Sequence, residues 1–350
     1  MRIEQLTFTR FLAAISIVIF HFGKKSFIFN NDAVNFIFFN ADVCVSYFFI
    51  LSGFVMMIAY GNKPNLSSKE YFRNRFARIY PIYFLAIILV LFLQIRTNDL
   101  GLSSLLLNVF MIQSWIQGYA LSFNPPGWSL CVEFFFYAIF PFIFRKFLKN
   151  DKSKKIAILI ILFWVFSQIL FQIFFSLYGE SESGNIKDIL KYNPLMHLNE
   201  FLVGNLAGYF MIKKWQNKKG NYDLLILLII CSIILTLKFS SLNFHNGLMA
   251  VLFIPLIVLI SLNKGYITKL FQKKAFVFLG EISYGIYILQ FPIYSLFSSY
   301  SVNKYFHITD PTIVFFLRLV ILIVVSALSY VYIEKPIKEK IKEKKLITSW

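Results

Sequence analysis

"TRFLAAISIVIFHF" runs from Thr9 to Phe22 and is apolar enough to enter a bilayer, yet it carries Arg10 near one end and His21 at the other. An arginine at the centre of a membrane helix costs about 2.5–3.5 kcal/mol on insertion scales. Arg10 therefore needs a partner, or a position from which it reaches water. Eleven residues at 100° each make three turns plus about 20°, so Arg10 and His21 share one helix face, about 16 Å apart along the axis. Two readings stay open from spacing alone. The polar face lines a shared cavity, or the two side chains snorkel to opposite edges of the membrane.

The same apolar character recurs along the chain. Of 350 residues, 58% are hydrophobic and 43 are Phe, against about 45–50% apolar in soluble domains. Ten runs of spanning length fall at roughly 6–23, 42–60, 79–96, 128–147, 156–177, 193–212, 222–238, 246–262, 278–299 and 312–333. They are too long and too uniformly apolar for barrel strands, and lipid cannot satisfy an open backbone. The expected fold is an all-α, polytopic transmembrane helical bundle of about ten spans. It forms one integral membrane domain over 1–350 with a basic tail at about 335–350 and no soluble catalytic domain. No small-x-small cleavage site follows the first run, in "HFGKKSFIFNN", so that run reads as a retained helix rather than a signal peptide.

A net charge of +18 invites a nucleic-acid reading, but its distribution excludes one. Of the 35 Lys and Arg, 26 fall in one alternate set of segments between spans, seven in the other, and two, Arg10 and Arg318, within spans. The positive-inside rule then puts both termini in the cytoplasm. The same charge attracts anionic membrane lipids or a phosphate-rich cytosolic ligand. Cys44, Cys131 and Cys231 show neither metal spacing nor a disulfide framework, so no metal is expected.

Ionisable groups at membrane depth are functional candidates by default. Here they are Arg10, His21, Glu133, His197, Glu200, Glu281 and Arg318. "RNRFAR" supplies Arg73, Arg75 and Arg78 just before the third span, as plain positive-inside charge or as guanidinium forks for phosphate. In "FFILSGFV", the small residues Ser52 and Gly53 point to close helix packing. "WSLCVEFFFY" sets Ser129 and Glu133 one turn apart, and a glutamate this deep needs a partner or a proton. His197 and Glu200 lie three apart on one face, near the outer boundary, where hydration is the plainer reading; two ligands do not make a metal site. His245 and His307 fall in short external loops and are expected to be solvated. The weakly apolar segment 97–127 is expected to hold a re-entrant or interfacial helix, with "NPPGW" (Asn124–Trp128) restarting the chain as a helix.

Taken in order, these pieces resemble the acyltransferase 3 family of integral membrane acyltransferases. The resemblance rests on Arg10 and His21 with ten residues between them, "VSYFFILSGFV", Arg73 and Arg75 followed by "ARIYPIYF", "WSLCVEFFFY", "LGEISYGIYILQFPI" and the closing "YIEKP". It implies a bundle of about ten helices in a bacterial inner membrane. It also implies transfer of an acyl group, usually acetyl, from cytosolic acyl-CoA to an outward-facing hydroxyl of a surface polysaccharide or lipid-linked glycan. The family's essential arginine and histidine fall on Arg10 and His21, and its cytoplasmic Arg-x-Arg on Arg73 and Arg75. Two positions depart from the pattern. Gln290 stands where the family often has histidine, and "CVS" leads into the Ser-Gly-Phe helix.

The expected catalytic residues are thus His21, Arg10 and Glu133. Arg73 and Arg75 are expected to bind the donor, acetyl-CoA or another acyl-CoA, and Ser52, Trp128 and Ser129 the substrate. His21 suits a general base that takes the proton of a sugar hydroxyl; an acyl-imidazole carrier is the open alternative. The rival function is a multi-span transporter or flippase for an envelope precursor, which would also need many spans and buried charges.

Overall fold

The computed structural model describes residues 3–61, 67–148, 153–179 and 184–347. Sixteen α-helices run through these residues. The first six are α1 (Gln5–Phe22), α2 (Asn35–Phe39), α3 (Val43–Tyr60), α4 (Ser68–Thr97), α5 (Leu102–Val109) and α6 (Gly127–Leu148). They continue with α7 (Ser153–Tyr178), α8 (Gly184–Tyr192), α9 (Leu198–Phe210), α10 (Asp223–Phe239) and α11 (Ala250–Leu262). The chain closes with α12 (Tyr266–Phe271), α13 (Lys274–Leu296), α14 (Ser299–Phe306), α15 (Pro311–Ser329) and α16 (Lys335–Ile347). Among the described residues the only β-type pairing is an isolated bridge between Gly220 and Asn263.

Local signals set several helix ends. Ser67 caps α4, its hydroxyl accepting from the Glu70 amide, and Asn98 closes that helix in the left-handed region at φ 54°. Asp310 accepts from the amides of Thr312 and Ile313 with Pro311 at the first helical position, which starts α15. Pro81, Pro141, Pro255 and Pro292 lie inside helices, a placement that packed membrane helices tolerate.

A helix stands at each of the ten apolar runs. Seven helices among the described residues are long and apolar enough to cross a membrane: those at 5–22, 43–60, 68–97, 127–146, 154–178, 274–296 and 311–341. The helices at the other three runs, α9, α10 and α11, have 13, 17 and 13 residues. The outward faces of α7 and α10 present Leu159, Leu162, Phe166, Leu224, Leu228 and Leu235. A water-soluble protein rarely exposes a continuous belt of this kind; a multi-pass membrane protein meets lipid there.

Two boundaries differ from the hydropathy pattern. α4 starts at Ser68, eleven residues ahead of its apolar run, because the Ser67 cap and good helix formers extend it into polar sequence. All three arginines of "RNRFAR" therefore lie on the helix. Within 97–127, α5 exposes Leu102 and Leu106 while Asn108 and Gln113 are buried. Tyr83 Oη donates to the Asn108 carbonyl at 2.8 Å, and Gln113 Nε2 donates to the Gly127 carbonyl at 3.0 Å.

α3 runs through the core, with Ile50 and Phe54 fully buried. It lies against α9 so closely that a Cβ on Gly53 would collide with the Phe201 carbonyl, and one on Gly204 with that of Ile50. Small residues at a membrane helix interface permit this approach. Two π-helical turns, Met211–Trp215 and Tyr330–Glu334, follow α9 and α15.

Candidate active site

Five helices, α1, α3, α4, α6 and α13, enclose a cavity of about 180 Å³. α3 lines it with Val45, Phe49, Ser52, Met56 and Ala59. These fall at helical spacing along one face and extend over about 21 Å. The cavity is therefore elongated, parallel to α3.

Its polar groups are unevenly distributed. α1 contributes Arg10, α4 contributes Arg75 and Arg78, and α6 contributes Ser129, Glu133 and Tyr137. Ser52 Oγ donates to Glu133 Oε1 at 3.1 Å, and Tyr137 Oη donates to the same oxygen at 2.5 Å. Tyr287 Oη and Ser129 Oγ, both in the lining, are hydrogen bonded at 2.7 Å. Arg75 lies between the rings of Tyr60 and Tyr137, 5.6 and 5.5 Å from their centroids, and its Nη1 reaches Met56 Sδ at 3.3 Å. Those contacts hold the guanidinium by cation–π attraction and leave its Nε without a partner.

The guanidinium groups of Arg10 and Arg78 form no hydrogen bond or ion pair among the described residues. Arg10 lies within the fields of Arg78, Glu133 and Glu334. Three arginines thus line one cavity with a single carboxylate, Glu133.

The structure brings together Arg10, Ser52, Arg75, Ser129 and Glu133. It leaves out Arg73, Trp128 and His21. Arg73 is exposed: two residues from Arg75 is 200° around a helix, so the two arginines point to opposite sides. Three residues is 300°, which puts Arg78 beside Arg75. His21 lies in the last turn of α1, exposed, its ring 5.0 Å from that of Phe20 and 6.0 Å from that of Phe22. Gln290 is buried one turn beyond Tyr287, and its Nε2 donates to the Tyr287 carbonyl at 2.7 Å.

Trp128 belongs to a second polar cluster. Its ring packs against Tyr192, His197 and His245, at centroid distances of 5.1, 5.3 and 5.6 Å. His197 and Glu200 are fully buried rather than hydrated. His197 Nδ1 pairs with Glu200 Oε2 at 2.8 Å, and Nε2 with the Lys191 carbonyl at 2.8 Å. Ser46 Oγ donates to the other Glu200 oxygen. His245 is also buried, not solvated: its Nε2 donates to the same Lys191 carbonyl at 2.8 Å, and its Nδ1 lies 3.7 Å from Asp42. His307 is exposed. Among the described residues no group of three or more His, Cys, Asp or Glu side chains is arranged to hold a metal ion.

Spanning-length apolar helices around a buried, charged cavity define a multi-pass membrane protein with a site inside its bundle. The chain belongs to the acyltransferase 3 family, whose model, described as an acyltransferase domain, matches residues 3–331. It is 24% identical over 338 residues to the peptidoglycan O-acetyltransferase OatA of Listeria monocytogenes, covering 84% of this chain and 51% of that protein. It is 25% identical over 366 residues to the putative O-acetyltransferase SACOL0978 of Staphylococcus aureus, covering 95% and 56%. Over 155 residues it is 30% identical to the acyltransferase MdmB of Streptomyces mycarofaciens, covering 41% and 40%. The chain spans about half the length of these curated relatives. No solved structure matches it.

Proposed function

We propose that this membrane acyltransferase moves an acyl group, acetyl first among candidates, from cytosolic acyl-CoA to a carbohydrate hydroxyl on the outward side of a bacterial inner membrane. The observation that carries the donor reading is the elongated cavity whose arginines Arg10 and Arg78 have no hydrogen-bond or ion-pair partner among the described residues. Guanidinium forks match phosphate oxygens. Arg75 and Arg78 hold the donor's phosphates, and the pantetheine arm extends along the α3 strip past Ser52. Arg10 contacts the donor partway along that arm, between the phosphates and the acyl group. Glu133, held by Ser52 and Tyr137, balances the charge of Arg10 and orients the two hydroxyls.

In the transfer, the sugar oxygen forms a bond to the acyl carbon and the carbon–sulfur bond breaks. The hydroxyl proton goes to a base, and CoA leaves as the thiol. His21 is assigned to the acceptor end, as that base or as a transient acyl carrier, because about 16 Å along α1 separates it from Arg10. Ser129 and Ser52 remain substrate contacts. Trp128 and Arg73, which do not line the cavity, leave the set.

The topology proposed is ten crossings with both termini cytoplasmic, the short helices α9–α11 included. Its support is the charge asymmetry of 26 basic residues against seven. The carbohydrate acceptor is supported by the names of the O-acetyltransferase relatives.

Labelled acetyl-CoA supplied to inverted membrane vesicles tests the reading, comparing the wild type with His21→Ala and Arg78→Gln at matched expression. We expect CoA release and label on membrane glycan that need both residues. A wild type that consumes no acetyl-CoA with host glycans present would overturn it.

A further inference from the structure

The closing motif "YIEKP" has no place in the chemistry above. Its residues form the π-helical turn Tyr330–Glu334 and the start of α16. Both segments pack against α4, the helix that carries Arg75 and Arg78. Glu334 is buried, 3% exposed, and Lys338, one turn on, donates from Nζ to its Oε1. The Lys338 ammonium also lies 5.7 Å from the centroid of the Tyr330 ring, and that tyrosine's hydroxyl donates to Glu281 at 3.0 Å. Arg78 and Arg10 act on Lys338 through space, as Glu334 does on Arg10.

We infer that Lys338 is a third cationic contact for the phosphates of the donor, beside Arg75 and Arg78, with Glu334 as its positioning residue. This rests on the donor reading given above and extends the site to the tail. Arg10, Arg75, Arg78 and Lys338 then share two carboxylates, Glu133 and Glu334. Among the described groups that line the cavity or pair with Lys338, four cations stand against two carboxylates and repel one another until a ligand with more than one negative charge arrives. A CoA thioester brings several; a bare acyl-pantetheine brings none.

The two kinds of cation also suit different tasks. The arginines are fixed on membrane helices. Lys338 is a compact charge on a flexible stem, its side chain 25% exposed, so it can turn from Glu334 to a phosphate held by the arginines of α4. Glu334 keeps the ammonium on the face of the tail that packs against α4.

The test is steady-state kinetics of the protein in inverted membrane vesicles that carry host glycans as acceptor, with acetyl-CoA and with S-acetylpantetheine, which lacks the phosphates. Lys338→Gln is expected to raise KM for acetyl-CoA about fivefold, the low end of ordinary coupling between sites. It should leave kcat and both constants for acetylpantetheine unchanged. Lys338→Arg should restore the wild-type KM. Lys335→Gln and Lys340→Gln remove the same charge from exposed positions and should change nothing. A Lys338→Gln effect equal for both donors would overturn the inference in favour of a structural role. Equal effects from Lys335 and Lys340 would overturn it in favour of bulk tail charge. Should Lys338→Gln fail to fold, Lys338→Met, which keeps the apolar stem over Tyr330, replaces it. A wild type inactive with both donors would instead overturn the donor reading itself.

Discussion

Two polar clusters share helix α3, and they follow opposite rules. Near its first turn, Ser46, Glu200, His197, His245 and the Lys191 carbonyl form a buried network in which nearly every group has a partner. Of these groups, among the described residues, His245 Nδ1 alone lacks a hydrogen bond. Further along the same helix, Ser52 faces a cavity where the guanidinium groups of Arg10 and Arg78 have none among the described residues. Lipid offers no hydrogen bonds, so an unsatisfied polar group inside a bundle is expensive. The saturated cluster is what a fold needs to hold helices together. The unsaturated one is held at a cost to the fold, which the proposed donor would offset.

Mutations can break this contrast. The largest effect is expected from Glu200→Ala, which strips a buried pair of one partner and should cost about 3–5 kcal/mol of stability. Thermal unfolding in detergent measures it, and an unchanged melting temperature would mean that the network is not structural. Arg10→Lys should do the reverse. Activity should fall about 100-fold, the upper end for a lost hydrogen bond to a charged group, with melting unchanged; a comparable loss of stability would put Arg10 with the structural cluster. Gly53→Ala forces a methyl group against the Phe201 carbonyl and should cost about 1–3 kcal/mol, the range of overpacking. It sharpens the contrast if the remaining folded fraction keeps its KM for the donor. The smallest effect is expected from Ser52→Ala, which removes one hydrogen bond to Glu133, a change of about 1 kcal/mol read as a roughly fivefold fall in kcat/KM.

The positions of the helices were legible because hydropathy measures what lipid demands, and a helix stands at each apolar run. Helix ends were less so. Ser67 and the polar turns after it extend α4 beyond its apolar part, and that extension decides which arginines face the site. Arg-x-Arg looks like a clamp when written as a line. On a helix, Arg75 pairs with Arg78, whose three-residue spacing was visible all along. His197 and Glu200 announced themselves by the same spacing, but Ser46 and the Lys191 carbonyl come from elsewhere in the chain and no periodicity points to them. Tyr137 and Tyr287 were missed because tyrosine in an aromatic-rich helix reads as packing until its hydroxyl finds a partner. The helix that carries Arg10 and His21 was legible; that Arg10 lines the cavity and His21 does not was not, since five helices set the cavity's extent.

The π-helical turn at Tyr330–Glu334 makes the tail sensitive to chain length. Each residue turns a helix by about 100°, and a π turn takes up residues that an α-helix cannot fit. Deleting one residue from Tyr330–Glu334 would let the backbone relax to regular α-helix and swing α16 around its own axis, carrying Lys338 away from α4 with every side chain intact. Among family members, a single-residue gap at this point would mark a different setting of the tail, whereas a gap of the same size in a surface loop would carry no such message.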